Sequence, residues 1–415
     1  RFGLFPAAAG GWIVSAEPFF SGLRHAVDLL KIKGSIGLVG SEALPNGERF
    51  AYLSIYGGGL GGYNFGEQNI AYGGTGENRI GVRDLTWEKG LKRNVGIELT
   101  MFNGLISLEA DYFHEKRTDI LVQRGSLPDI AGLPSAPFAN IGVMKNRGVD
   151  GSLEVNKRIH NVGVRLHGNF TFARDKIIEQ DEAPKNYEYR MRTGHKFNQQ
   201  FGLISLGYFH DEADIANSPT QTFGAVRPGD VKYHDTNGDG VISIDDEVPI
   251  GYSNIPEINY GFGTQLEYKA FDFGIFFRGQ GRVSYVLGGA YIPFNQGVGK
   301  GNLFLQALDR WTPENPRQDA QYPRIFNGTS ANNWQNSTKK LYDGSFLRLA
   351  DVEIGYNVNP DWLSGMKIKS LRIYALSTNT AIFSKWKMWD PEQGTASGTN
   401  YPLQRKFNFG IRAKF

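Results

Sequence analysis

The chain has 415 residues, 53 of them glycine, with 40% apolar and 13% aromatic side chains, and 45 basic against 42 acidic residues give a formal charge of +3. That balance supplies no cationic surface for nucleic acid, and the absence of cysteine excludes disulfides, thiolate chemistry and Cys-ligated metals. No run of 18 apolar residues occurs, which excludes a transmembrane helix but not a membrane strand, since a strand needs only about ten residues and half of them face a lumen.

In chain order, strands are predicted at 2–14 and 29–38, then at 95–101 and 106–112. In this last pair Val95, Ile97, Leu99 and Met101 alternate with Gly96, Glu98 and Thr100, and Ile106, Leu108, Ala110 and Tyr112 alternate with Ser107, Glu109 and Asp111. The two form a hairpin about Asn103-Gly104. Further period-two runs fall at 147–157, 162–172, 258–268, 271–277, 346–356 and 368–378. The chain closes with Phe407, Phe409, Ile411, Ala413 and Phe415 alternating with polar residues or glycine.

Connections alternate in length. Short turns fall near 17–28, 102–105, 157–162, 268–271 and 357–367, and long connections cover about 40–90, 117–146, 174–257, 283–344 and 380–405. Such asymmetry is that of an outer-membrane barrel, with short periplasmic turns and long extracellular loops. The strands at 147–157 and 162–172 are about as long as a tilted membrane strand, whereas sandwich strands run about five to seven residues. The predicted fold is all-β: a transmembrane antiparallel β-barrel with long extracellular loops. Eleven strands is an odd number, and the loops take up about half the chain, so the expectation is a barrel portion completed by an N-terminal segment of the same protein. The terminal alternating strand is expected to serve outer-membrane assembly and to close the barrel edge.

The sharpest local signal is Asp235-Thr236-Asn237-Gly238-Asp239-Gly240-Val241-Ile242-Ser243-Ile244-Asp245-Asp246. Asp235, Asn237, Asp239, the Val241 carbonyl, Ser243 and Asp246 stand at positions 1, 3, 5, 7, 9 and 12 of a loop that wraps calcium, with Gly240 at the turn and Asp in place of the usual Glu at the last position. The alternative is an Asx/Gly turn that binds nothing. A structural Ca²⁺ holding an extracellular loop is the expectation, with no organic cofactor. The loop aromatics Trp311, Trp334, Trp386, Trp389, Tyr322 and Tyr342 are candidates for substrate contact, by stacking on a sugar face or a peptide apolar group, with packing of their own loops as the competing role. Trp87 reads as interfacial or loop packing. The histidines have no metal-site spacing and no nucleophile elbow is present, so an enzyme is not expected. A secreted or surface calcium-stabilised carbohydrate-binding or adhesin module is the alternative to a barrel.

Several segments resemble the SusC/RagA family of TonB-dependent transporters. Leu85-Thr86-Trp87-Glu88-Lys89 with Asn94-Val95-Gly96, Asp111-Tyr112-Phe113 through Thr118-Asp119, and Asn140-Ile141-Gly142 through Asn146-Arg147-Gly148-Val149 are similar to its successive strand motifs, with Asp150 where the family has Glu. Arg227-Pro228-Gly229-Asp230-Val231-Lys232-Tyr233 leads into the Asp235–Asp246 loop and Ile250-Gly251 as in that family. Trp311-Thr312-Pro313-Glu314-Asn315-Pro316, Tyr322-Pro323-Arg324, Asp343-Gly344-Ser345-Phe346-Leu347-Arg348-Leu349, Asp390-Pro391-Glu392 and Tyr401-Pro402-Leu403 follow in family order. The resemblance implies that residues 1–415 form the C-terminal part of a 22-strand barrel in the bacterial outer membrane, with the plug and first strands outside this chain. It further implies a SusD-like surface lipoprotein partner, TonB acting through the plug, an oligosaccharide or peptide ligand, and contact with lipid and lipopolysaccharide.

Overall fold

The computed structural model describes residues 2–42, 50–133, 135–288, 294, 303–326, 328, 330–363, 367–394 and 400–415. The predicted turn 357–367 and the long connections 40–90, 117–146, 283–344 and 380–405 lie partly outside the described residues. Eleven strands form one sheet: β1 (Ala7–Ile13), β2 (Val27–Ser41), β3 (Glu88–Met101), β4 (Ile106–Gln123), β5 (Phe138–Ile159), β6 (Val162–Glu179), β7 (Ile258–Tyr268), β8 (Phe271–Gly281), β9 (Phe346–Asn357), β10 (Ser370–Ser384) and β11 (Lys406–Lys414). Each is hydrogen-bonded to its neighbour in chain order. All eleven predicted strands are there, and most are longer than predicted. β5 has 22 residues and β6 has 18, about twice a membrane span.

The chain divides into two compact units, Arg1–Gly151 with Phe172–Lys185 and Met191–Phe197, and Ser152–Thr171 with Asn186–Arg190 and Asn198–Phe415. In the first, antiparallel register sets Ile32 beside Ile97 and Ala110, and Gly34 beside Val95 and Tyr112. The intervening row carries Lys31, Glu98 and Glu109, then Lys33, Gly96 and Asp111. Lys31 Nζ lies 3.1 Å from Glu98 Oε1, and Lys33 Nζ pairs with Glu109 and lies 3.0 Å from Asp111 Oδ2. One face is therefore apolar and the other an ion-pair lattice. The turn at 102–105 brings Phe102, Asn103 and Gly104 to positive φ (55°, 56° and 77°), a conformation that Asn and Gly adopt at least cost.

The second unit repeats this division across five strands. Leu266, Phe273, Ile354, Ala375 and Phe409 form one row, and Tyr268, Phe271, Tyr356, Ile373 and Ile411 the next. Between them lie Glu267, Asp272, Gly355, Tyr374 and Gly410, and Arg372 bridges Asp272 and Glu353 on that side. The apolar rows are open: Phe409 is 84% and Ile411 71% exposed. Burying one such side chain is worth about 1.5–3 kcal/mol, so two half-exposed rows left in water would forgo on the order of 10 kcal/mol, as much as the net stability of a whole domain. Such rows require hydrocarbon against them.

Strict alternation is interrupted in β9. Asp351 pairs with Phe276 and Leu349 with Phe277, so Ala350 is an extra residue. Because side-chain direction has period two, this bulge reverses the parity of everything before it. Arg348 would otherwise point to the apolar side; the bulge places it opposite Arg278, on the polar side with Glu353.

The predicted long connections are themselves folded. Ile55–Phe65 and Ile70–Arg79 pair as a hairpin within the first, where Gly57-Gly58-Gly59-Leu60-Gly61-Gly62 has too few side chains to reveal alternation. Within 180–257, short strands pair Gln199–Gly202 with Val248–Ser253, Ser205–Tyr208 with Val231–Tyr233, and Thr220–Gln221 with Val241–Ile242.

Candidate functional site

In the first unit the motif residues tie strand ends together. The Asn140 carboxamide accepts from Thr86 N (3.0 Å) and donates to Asp119 O (2.8 Å), joining the segments beginning Leu85 and Asp111 to its own. Asp119, at φ 56°, also pairs with Lys89 (3.0 Å). Trp87 packs edge-on against Phe5 with centroids 5.8 Å apart. Two connections are clamped by Asp181, which accepts from Arg124 Nε (2.8 Å) and Ser126 Oγ (2.5 Å); those two donors hold its carboxyl below the usual carboxylate range.

In the second unit the three long connections fold on one another through aromatic clusters. Leu203, Tyr208, Val231, Tyr233, Ile242, Trp311 and Ala320 form one core; Val283, Tyr285, Leu287 and Trp386 form another, with Tyr342, Met388 and Trp389 packed on it; Phe294, Ala307 and Tyr322 form a third, with Trp334 and Met388. All six aromatic ligand candidates lie in these clusters. Trp311, Trp386 and Tyr322 are only 4%, 3% and 3% exposed, so their rings are committed to the loop cores rather than offered on an open surface. Trp334, Trp389 and Tyr342 are half-buried at the cluster edges, Trp389 Nε1 donating to Gln393 Oε1 (2.6 Å) and Tyr342 Oη accepting from Gln321 (3.1 Å). Burial raises the Tyr208, Tyr322 and Tyr342 phenols above their ordinary value and holds the Lys339 ammonium below its own. Lys339 nevertheless donates to Ala320 O (2.6 Å) and sits 4.5 Å over the Tyr208 ring.

A buried polar network pins this core. Asp230 accepts from Asn333 Nδ2 (2.8 Å) and Arg227 N (2.8 Å) and pairs with Arg324 (2.8 Å). Gln221 bonds Asn332 Oδ1 (2.6 Å), Val231 O (2.9 Å) and Tyr233 N (2.8 Å), and Tyr233 Oη donates to Asn332 O (2.6 Å). Gly229 has φ 87°, and a Cβ there would lie 2.2 Å from Trp311 Cε3. The Pro228-Gly229-Asp230 motif is therefore the floor on which the Trp311 ring rests, and Asp230 is its anchor.

The last long connection is held by ions. Arg348, fully buried, reaches Asn379, Asp390 Oδ1 (2.5 Å) and Glu392 Oε2 (3.0 Å), while Arg278 takes Glu392 Oε1 (2.7 Å). Asp390 also caps Glu392 N (3.0 Å). Two guanidiniums meet two carboxylates, which is what permits their burial. Sequence reasoning missed Arg348, Asp230, Gln221, Asn332 and Asn333 as organising residues. Arg348 and Asp230 at least lay inside recognised motifs, whereas Gln221, Asn332 and Asn333 carried no signal.

The Asp235–Asp246 segment forms a compact loop of successive Asx turns. Asp235 accepts from Gly238 N (2.7 Å) and Gly240 N (2.8 Å), Asn237 from Asp239 N (2.9 Å), and Asp239 from Val241 N (2.8 Å). The buried Asp246 closes the loop by accepting from Thr236 N (2.7 Å) and Ser243 N (2.8 Å), and Ser243 caps the following turn. Asp245, beside it, binds Arg190 and Asn186 (3.0 Å). The oxygen-rich donor set is of the kind that suits a hard cation. Among the described residues no three acidic or histidine side chains already converge as a cage.

Eleven antiparallel strands, apolar on one face and ionic on the other, whose long connections all join strands at the same end, have the pattern of an outer-membrane β-barrel. The model of the TonB dependent receptor-like β-barrel family matches residues 47–376, and the chain belongs to that family. It is 29% identical over 440 residues to TonB-dependent receptor P26 of Formosa agariphila, covering all of this chain and 42% of that protein. To TonB-dependent receptor SusC of Bacteroides thetaiotaomicron it is 25% identical over 424 residues, covering all of this chain and 40% of SusC. The solved RagAB peptide transporter superposes with a TM-score of 0.76 at 23% identity, covering 99% of this chain and 43% of that one. The resemblance to SusC and RagA drawn from the motifs is thus borne out, as is the outer-membrane location. The chain spans about two fifths of the length of the curated relatives it matches.

Proposed function

We propose that this chain supplies part of the wall and the folded extracellular loops of an active nutrient importer of the SusC/RagA type. The imported nutrient is an oligosaccharide or a peptide, captured with a SusD-like surface lipoprotein and driven by TonB acting on a plug in the same protein. The observation that carries the reading is the two-faced strand: exposed apolar rows on one side, and on the other a lattice of paired charges that water and a polar solute can wet. The loop lobe, rigid through its three aromatic cores, gives a ligand and a lipoprotein a preformed surface. Within this reading Ca²⁺ is a structural ion of the Asp235–Asp246 loop, with Asp235, Asn237, Asp239, the Val241 carbonyl, Ser243 and Asp246 as its ligands.

The test is uptake by whole cells. Deleting the gene for the intact protein should abolish uptake and growth on one class of oligosaccharide or peptide, and inactivating TonB should do the same. The intact protein should also copurify with a lipoprotein. Unchanged growth and uptake on every such nutrient in the deletion strain would contradict the proposal. For the ion, calorimetric titration of the intact protein with Ca²⁺ should show a site that Asp235→Ala removes; identical titrations reject it.

A further inference from the structure

We infer that the apolar face of the sheet carries a site for an anionic phospholipid, at the short-turn end of β8, β9, β10 and β11. The inference concerns the wall of the barrel and is independent of what the barrel imports. The site is a hollow of about 730 Å³ in the second unit. Phe271 and Tyr356 bound it on one side, their ring centroids 5.0 Å apart, and Phe409 and Ile411 on the other. In register, Ile354 of β9 and Phe409 of β11 stand either side of Ala375 of β10, so a row of large side chains falls there to a single methyl group. Four neighbouring strands of this chain complete the hollow.

Hydrocarbon fills any dent in a lipid-facing wall, so the hollow by itself selects nothing. The rim supplies the selection. Lys369 lies two residues before Leu371 and so continues the outward row of β10; it is exposed and has no acceptor among the described residues. Lys269, in the two-residue turn between Tyr268 and Phe271, has the Tyr268 ring beneath its ammonium at 5.3 Å and no acceptor among the described residues. From Ile373 to Lys369 is four residues, about 13 Å of strand, which is less than the roughly 20 Å depth of one bilayer leaflet. One lipid therefore reaches both the hollow and the lysines. Tyr268 and Tyr356 mark the level of the interface, where headgroups lie. Lys157, Arg158 and Lys367 extend the positive charge, and Asp361 is the one acid among the described residues of 157–162, 268–271 and 357–369.

That charge separates the occupants. An anionic headgroup meets two unpaired ammoniums, whereas a zwitterionic one brings a cation of its own against them. Short turns are the periplasmic end of an outer-membrane barrel, which faces the phospholipid leaflet and not the lipopolysaccharide leaflet. A second copy of this chain, paired through the same face, would set these lysines against their own counterparts.

The experiment places the intact protein in nanodiscs of phosphatidylethanolamine with two photoactivatable probes, phosphatidylglycerol and phosphatidylethanolamine, that carry the same diazirine tail. Phosphatidylglycerol should label 271–273, 354–356, 373–375 and 409–411 more heavily than its zwitterionic counterpart. Lys269→Gln and Lys369→Gln should each lower that labelling about fivefold, equivalent to about 1 kcal/mol for one lysine at an anionic surface, and leave phosphatidylethanolamine labelling unchanged. Ala375→Phe, which fills the hollow, should lower labelling of these segments by both probes, with heat-modifiable migration showing that each variant still forms the barrel. Equal labelling of the parent by the two probes, or phosphatidylglycerol labelling untouched by both lysine variants, overturns the site. So do unchanged labelling in Ala375→Phe, displacement of the probe by inorganic phosphate, and protein–protein adducts in place of lipid adducts at these segments.

Discussion

Replacing Arg348 with methionine is the sharpest perturbation of the loop lobe. The guanidinium is fully buried and joins Asn379, Asp390 and Glu392, so its removal strands two carboxylates that were placed to meet it. Breaking a buried pair by deleting one member costs about 3–5 kcal/mol. Here Asp390 and Glu392 keep 16% and 26% side-chain exposure and Glu392 retains Arg278, which brings the expected cost to about 2–3 kcal/mol. Since about 1.4 kcal/mol is tenfold, amides of residues 385–394 in the intact protein should exchange with deuterium roughly 30–150 times faster, while those of β9 and β10 away from the site keep their protection. Arg348→Lys, which keeps the charge but loses the planar fork, should fall between. Unchanged exchange in 385–394 would refute the view that this ion cluster holds the loop.

Two further outcomes follow from the same geometry. Gly229→Ala combines left-handed strain with a clash against the Trp311 ring, together about 2–4 kcal/mol, and should raise proteolysis of 198–257 without affecting heat-modifiable migration of the barrel; resistance equal to the parent's would contradict the packing. Because the Asp181 carboxyl titrates below its unfolded value, its clamp contributes fully above about pH 4 and is lost as pH falls through the lower folded value. Pepsin cleavage within 124–133 should therefore rise on acidification in the parent and stay flat, relative to it, in Asp181→Asn; parallel curves would sink the clamp.

The sheet was legible because a membrane imposes the same rule on every strand: alternate residues must be apolar. Val95 and Ile97 against Gly96 and Glu98, or Phe407, Phe409 and Ile411 against Lys406, Asn408 and Gly410, state that rule without any tertiary information. Three things escaped it. The hairpin at 55–79 is built largely of glycine, which has no side chain to alternate. The Ala350 bulge is invisible in sequence, yet it decides that Arg348 belongs with the acids and not with lipid. Loop aromatics such as Trp311 and Trp386 look alike whether they pack or bind, since the same apolar ring serves both; only burial separates the roles. The glycine and aspartate of Pro228-Gly229-Asp230 were visible as a motif, but their task required Trp311 and Asn333 to be brought beside them from about a hundred residues away.

These 415 residues contain no cysteine, so with any cysteine elsewhere in the intact protein replaced, the two-faced strand can be tested directly. Single cysteines carrying a spin label would be placed in the intact protein, reconstituted in lipid, at Val95, Ile97, Phe273, Ile354 and Ile411 and at Glu98, Asp111, Gln265 and Glu353. The first set should be relaxed by oxygen dissolved in the bilayer and shielded from a water-soluble nickel complex, and the second set the reverse. Equal accessibility of both sets to the nickel complex, or oxygen contact that fails to alternate along β3 and β9, would contradict the account.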